Sequence, residues 1–486
     1  MNVKKLAVVG GGTAGIISAL ILKTKFPDMQ IDIICSSDIG IVGVGEGSTE
    51  HFKDFMQFVG IDQYSLIKHS DASYKMGIMF DGWNETPYMH SLQNPFVTRH
   101  AQYNYLYGKL IADKASNKEF SSPIYWENLV NFWYFNRPEE YFSNQFHFNT
   151  FKLNEFLSNL SKSKGINIID DIVQDVQLAE DGSIGILKGE KSNYQYDFYI
   201  DCTGFRRILI SKLGAKWKSY SKYLKMKSAI TFPTPDEENY NIWTLSKAMD
   251  YGWMFKIPVW GRHGNGYIFD SDYISKEQAV DEVEKLLGKS VDVGRHFNFD
   301  PGALDKAWIK NCCAIGLSGS FVEPLEASSI GTSIQQAFLL MHRLSNYNDK
   351  VIDSYNKSFT DIMENIRDFI VLHYITKKTN SKFWIDASNN ELPKSLKNNL
   401  DIWQHKLPIR EDFANLSNYI LFTEDNFSLV MQGLDLFNHQ SIKQEFDSSS
   451  QQVKDAAQQT INDYQRFLKT VKLVSHKDML SLIRTL

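Results

Sequence analysis

A short apolar strand running into a glycine loop limits what this chain can fold into more than any other feature. Lys5 to Val9 is an apolar run suited to a strand buried in a parallel sheet. Gly10-Gly11-Gly12-Thr13-Ala14-Gly15 follows at once. Ile16, Ile17, Ala19, Leu20 and Leu22 then supply the apolar faces of a helix over Gly15 to Lys25, and Ile31 to Cys35 reads as a second strand. Gly10-x-Gly12-x-x-Gly15 thus sits between a strand and a helix, the setting in which that spacing signals a dinucleotide site. Gly10 permits the tight turn, Gly12 lets backbone approach a pyrophosphate, and Gly15 lets helix and strand pack closely. Thr13 and Ala14 stand at the helix entry, where free amides and the helix dipole favour phosphate. The carboxylate that usually holds the ribose about 20 residues on is missing. Cys35-Ser36-Ser37 stands there, leaving Ser36 or Ser37 to bond the ribose, which weakens a nicotinamide reading more than a flavin one.

The 486 residues allow about three domains at roughly 150 residues each, or one large α/β unit with insertions. A net charge of −5 gives no basic surface for nucleic acid or acidic lipid. Cys35, Cys202, Cys312 and Cys313 form no Cys-x-x-Cys pair and have no histidine at ligand spacing, so no metal site is expected and the thiols read as buried in a reducing compartment. The chain enters a strand within five residues, which leaves no room for a signal peptide, and it has no run of about 18 apolar residues. A soluble, cytoplasmic protein away from membranes is expected.

Further along, Lys75 to Phe80 alternates like one strand, which would put Lys75, Gly77 and Met79 on one face. Residues near 85–150 read as an insertion on the substrate side, dense in Tyr, Trp, Phe and Asn between 100 and 145. Phe151 to Lys164 has helical spacing, Ile166 to Leu187 reads as short strands around the Asp181-Gly182 turn, and 218–275 reads as an antiparallel sheet. Tyr196 to Cys202, ending at Thr203-Gly204, and Asn311 to Gly316 are further apolar strands. From about 334 onward the periods are mostly helical. The expected division is a body over 1–340 with a helical part over 341–486 packed on it.

Several separated stretches carry a resemblance. Tyr196 to Gly204 and Asn311 to Gly316 resemble the cofactor-closing segments of two-dinucleotide-fold flavoproteins, with Leu317 where an acidic residue is common. Trp253-Met254-Phe255-Lys256-Ile257-Pro258 matches a Trp-x-Trp-x-Ile-Pro motif with Phe255 for the second Trp, and Gly264-Asn265-Gly266-Tyr267 follows it. Ala72-Ser73-Tyr74-Lys75-Met76-Gly77-Ile78-Met79-Phe80, then Trp83, surrounds a lone lysine. Phe321 to Ile330 resembles a Pro-Leu-Glu-Ser-Thr-Gly loop, with Ser328 for Thr and Ser329 for Gly. Ile366 to Tyr374, then Phe383-Trp384, matches a helical stretch in which His373 reads as a structural residue. Together these segments resemble the flavin-dependent halogenases of the tryptophan-halogenase type.

The resemblance implies an α/β fold: an FAD-binding two-dinucleotide-fold body of the glutathione-reductase and hydroxylase kind, with an antiparallel sheet and a helical C-terminal subdomain. It implies FAD used as FADH2, oxygen, and a halide (chloride, bromide or iodide) converted to hypohalous acid. Lys75 is then the catalytic lysine, hydrogen-bonding the hypohalous acid or forming a haloamine, and Glu326 takes the ring proton or orients the oxidant. Amides at Ser328 and Ser329 would bind halide, while Gly316 and Ile330 join Ser36 and the glycine loop on the cofactor. Trp253, Phe255, Ile257 and Pro258 would bar substrate from the flavin. Asn94, Pro95 and Phe96 stand where the family has His-Pro-Phe, and Asn426-Phe427 where it has a Trp that sandwiches the substrate, so Phe96 and Phe427 are the candidate stacking rings. The segment 421–437 lacks the Tyr and Glu that clamp free tryptophan, which points to an electron-rich arene or an indole. With no second glycine loop for NADPH, a separate NAD(P)H-dependent flavin reductase is the expected partner, and a homo-oligomer is left open. A single-component aromatic hydroxylase and a non-catalytic flavin-binding protein are the alternatives.

Overall fold

A computed structural model describes residues 3–40, 46–91, 108–109, 111–112, 145–470 and 475–485. Lys5–Val9 pairs in parallel with Gln30–Cys35 on one side and Phe198–Asp201 on the other. Cys312–Ala314 and Asn167–Asp170 extend this sheet in parallel, and Trp308–Ile309 closes one edge antiparallel. Leu6, Ala7, Val8, Ile33, Ile200 and Cys313 are all essentially inaccessible, because both faces of the sheet are covered and leave no polar side to alternate with.

The helix Thr13–Lys25 begins on Gly12 with no side-chain cap, so its first amides stay open toward the loop. Gly10 has φ +117°, and a Cβ there would lie 2.1 Å from the Cys202 carbonyl oxygen. A Cβ on Gly12 would meet nothing within 4 Å. The two glycines therefore separate folding from binding. Gly10→Ala is expected to give no soluble folded protein. Gly12→Ala is expected to fold with an unchanged Tm while binding FAD at least about tenfold more weakly, read by titration of flavin fluorescence.

The second large sheet has seven strands, in the order Arg295–Asn298, Ser228–Pro235, Arg262–Phe269, Gly252–Val259, Thr244–Met249, Gly77–Asp81 and Tyr88–Ser91. The antiparallel reading of 218–275 covers its four central strands. The run around Lys75 differs from expectation. Ser73–Lys75 belongs to a separate small sheet with Gln145–Phe148 and Glu46–Gly47, and Gly77–Asp81 joins the seven-stranded sheet. Met76 lies between them, with Gly77 at φ +151°. All three residues of Ser73–Lys75 are buried, so alternation says nothing about which face is wet. Every described element from Ser328 onward is helical, including the 25-residue helix Asp349–His373, whose C-terminal turns are wholly buried.

Candidate active site

The glycine loop opens into a cavity of about 790 Å³ that continues to the face of the seven-stranded sheet. Gly10 to Gly15, Ser36, Asp170, Thr203 and Gly316 line it, together with Trp253, Phe255, Ile257 and Ser328 to Ile330. The residues fit a long dinucleotide. Asn154 reaches from the helix Thr150–Ser163 to donate from Nδ2 to the Gly11 carbonyl at 2.8 Å, pinning the loop. Asp201, fully buried, accepts from the amides of Thr203, Leu209 and Ile210 and from Ser318 Oγ, which fixes the turn after the strand. Gly316, at φ +71°, brings its backbone against Ala14. The carboxylate missing after the second strand arrives from the neighbouring one. Asp170 stands opposite Cys35 across the sheet and accepts from the Ser37 amide at 3.2 Å.

The strand Gly252–Val259 explains its own motif. Trp253, Phe255 and Ile257 alternate onto the cavity face. The Phe255 ring lies over Gly266, where a Cβ would come within 2.4 Å of it, so the glycine across the pair makes room for the ring. Pro258 is off the cavity wall, and its carbonyl accepts from Ser73 Oγ at 2.6 Å. Trp253 is buried, and its indole N–H donates to Glu323 Oε1 at 3.1 Å.

Ala327 adopts the left-handed conformation, φ +52°, and starts the helix Ser328–Met341 without a side-chain cap. The first-turn amides of Ser328 and Ser329 are thus free to face an anion at the cavity wall. Ser328 is buried and Ser329 exposed. Ile330 lines the same wall.

Lys75 and Glu326 lie behind that wall. Gly47 is on it, and a Cβ on Gly47 would sit 3.5 Å from Lys75 Nζ and 3.6 Å from the Ala327 Cβ. Lys75 is 1% exposed and donates from Nζ to the Ser48 carbonyl at 2.8 Å. Burial pulls its pKa down to about 8, with the Glu326 charge opposing the fall. Glu326 is also buried, with Oε2 at 2.7 Å from His90 Nδ1 and Oε1 at 2.9 Å from His373 Nε2. Burial pushes this carboxyl up, but the two imidazoles outweigh it and hold it below the ordinary range.

Three residues earlier in the same loop, Glu323 takes the opposite course. It is fully buried, accepts from Trp253 Nε1 and from the Tyr374 hydroxyl, and burial raises it to about 7. Adjacent residues at the end of one helix, His373 and Tyr374, thus face the two glutamates of one loop. Sequence reasoning took His373 as structural and passed over His90, Gly47 and Glu323. Only Tyr88–Ser91 pairing beside Gly77–Asp81 brings His90 to Glu326, and periodicity carries no such signal. Asn94, Pro95 and Phe96 lie outside the described residues. Phe427 is buried among Phe369, Trp403 and Phe413, and Phe369 in turn contacts His90 and His373.

The tryptophan halogenase family model matches residues 5–448. A 7-chloro-L-tryptophan 6-halogenase of Kutzneria sp. (strain 744) is 31% identical over 447 residues, which span 84% of this chain and 86% of that one. The fold matches a flavin-dependent halogenase from Xanthomonas campestris with a TM-score of 0.84 at 26% identity, over 99% of both chains. It matches a tryptophan 6-halogenase from Streptomyces toxytricini equally well, TM-score 0.84 at 24% identity, over 98% of this chain and 99% of that one. No helix among the described residues is long and apolar enough to cross a membrane. This chain belongs to the tryptophan halogenase family of flavin-dependent enzymes.

Proposed function

We propose that the protein halogenates an electron-rich arene or indole, with halide oxidised on the glycine-loop side of Gly47 and the oxidant used on the Lys75 side. The glycine loop, Asn154, Asp201 and Gly316 form the frame for FAD. FAD delivered reduced by a separate NAD(P)H-dependent reductase supplies, with oxygen, the oxidising power that converts halide to hypohalous acid. The amides of Ser328 and Ser329 hold the halide at the wall. Trp253, Phe255 and Ile257 occupy the sheet face of that cavity and exclude an aromatic substrate from it. The Lys75 ammonium, already bonded to the Ser48 carbonyl, keeps further N–H donors for the oxygen of hypohalous acid. Glu326 takes the proton lost by the ring carbon that gains halogen.

The observation that carries this reading is the place of Gly47, on the cavity wall on one side and against Lys75 on the other. The test combines an external flavin reductase, NADH, FAD and oxygen with chloride, bromide or iodide in turn, and indole as probe. Halogenated indole that requires halide is the expected product by mass spectrometry, with free tryptophan a poor competitor. Hydroxylated indole formed without halide would replace this reading with a hydroxylase, and regioselective tryptophan turnover would overturn the substrate class.

A further inference from the structure

The hydrogen-bond network around Glu326 fixes where protons lie. Asn426 Oδ1 accepts from the Thr423 amide at 2.8 Å, so its carboxamide cannot be reversed. Its Nδ2 therefore points at His90 Nε2, 3.1 Å away, and that nitrogen must accept. His90 is then the tautomer with its proton on Nδ1, given to Glu326 Oε2 at 2.7 Å. His373 is constrained differently. Its Nδ1 lies 2.8 Å from the Phe369 carbonyl, which can only accept, so Nδ1 carries a proton. Its Nε2 and Glu326 Oε1 are 2.9 Å apart, an ion-pair distance, both are buried, and neither atom makes a well-directed hydrogen bond to any group as the rings now stand. Two bare lone pairs do not settle at that distance in a buried, low-dielectric site, so one of the two atoms carries a proton.

We propose that a proton bridges His373 Nε2 and Glu326 Oε1, and that His373 is the positioning residue that keeps Glu326 ready to accept the ring proton. The inference rests on the role given to Glu326 above and adds the group that sets it. When halogen transfers, the O–X bond breaks with its electron pair on oxygen and the C–X bond forms from a ring pair. The ring C–H bond then breaks, its pair returns to the ring, and the proton passes through Glu326 to the released hydroxide as water. Glu326 performs this step only while it is not already neutralised. Lys75, Tyr88 and His90 face the carboxyl from the other elements packed on it, and Glu50 is the further carboxyl within charge range of His90. Of the two histidines, His373 alone has a nitrogen left to carry the balancing proton. Glu323 is the comparison inside the molecule: equally buried, facing a hydroxyl and an indole instead of imidazoles, it is raised where Glu326 is lowered.

The test has two arms. In full-length protein labelled with nitrogen-15 histidine, the His373 signal, assigned by its loss in His373→Gln, should show slowly exchanging protons at both ring nitrogens. A single proton at Nδ1 overturns the proposal, whatever the enzyme's activity. In the second arm, His373→Gln keeps an amide donor toward Glu326 but cannot carry charge. Indole halogenation by the wild type should hold steady as pH falls from about 7 to about 5, and the variant should lose at least about tenfold over the same range. FAD affinity should be equal in both. A variant with an unshifted acid limb overturns the proposal. A wild type that makes no halogenated product sinks the halogenase reading but leaves the magnetic resonance result standing.

Discussion

Lys75→Ala is expected to bind FAD and oxidise reduced flavin like the wild type while halogenated product falls by at least roughly a thousandfold, because positioning of the oxidant is lost. The loss follows from location. Lys75 is off the cavity wall, so its removal leaves the cofactor frame intact. Its ammonium is nearly inaccessible, fixed by the Ser48 carbonyl, and close enough to Glu326 for their charges to interact. Lys75→Arg should fare little better, since a planar guanidinium cannot present its N–H donors from the same point as a compact ammonium. The ammonium is the form that donates, so halogenation should decline as pH rises through about 8, the value to which burial lowers this lysine. A rate that climbs through the same value would instead identify the neutral amine, and hence a haloamine, as the acting species.

The same depression makes a stability prediction whose sign is fixed. The folded-state value lies below that of an unfolded lysine, so folding penalises the charged form. The penalty is complete below about pH 8 and is relieved as pH rises from there toward the ordinary lysine range. Lys75→Met should therefore raise Tm at neutral pH, with an advantage that shrinks in alkali. An inactive variant more stable than its parent is the signature of a cation held for chemistry rather than for the fold. Lower Tm in Lys75→Met would mean that this lysine supports the small sheet it sits in.

How much could be read from the residues follows from the range over which each interaction acts. Gly10, Gly12 and Gly15 were legible because strand, turn and helix are contiguous and each glycine answers a local steric demand. Trp253, Phe255 and Ile257 were found by resemblance to a family motif; strand alternation, which puts these three on one face, would have excluded Pro258, which is off the cavity wall. Lys75 was found by resemblance, but its surroundings were misread. Nothing local marks Met76 as the place where the chain leaves one sheet for another. His90, Asn426 and His373 are each unremarkable in sequence. They meet at Glu326 through contacts spanning 236 residues from His90 to the glutamate and 336 from His90 to Asn426, so only tertiary packing brings them together. Asp170 is similar: a carboxylate on the cavity wall comes from a strand far along the chain, in register with Cys35, where the second strand ends without one.

Gly47 shows what such packing implies for transfer of the oxidant. A Cβ at this position would stand 3.4 Å from Lys75 Cδ and 3.5 Å from Nζ, ordinary contact that leaves both groups in place. Gly47→Ala should therefore keep most activity. Valine adds two methyls in the same gap between the cavity wall, Lys75 and Ala327, where the flanking backbone is paired in a sheet and cannot retreat. Gly47→Val is expected to cost about a hundredfold in halogenated indole, the scale of a misplacement near 1 Å, with reduced flavin still consumed at the wild-type rate. The oxidant that no longer reaches Lys75 must then leave by the cavity mouth, and a soluble scavenger that is itself halogenated should capture it. Wild-type protein should leave the scavenger largely untouched when indole is saturating. If Gly47→Val instead halogenates indole normally, the oxidant travels by another route, and Gly47 is only a tight spot beside the lysine. If the scavenger is consumed equally with and without the substitution, hypohalous acid reaches the ring through bulk water, and burial of Lys75 behind Gly47 has no part in delivering it.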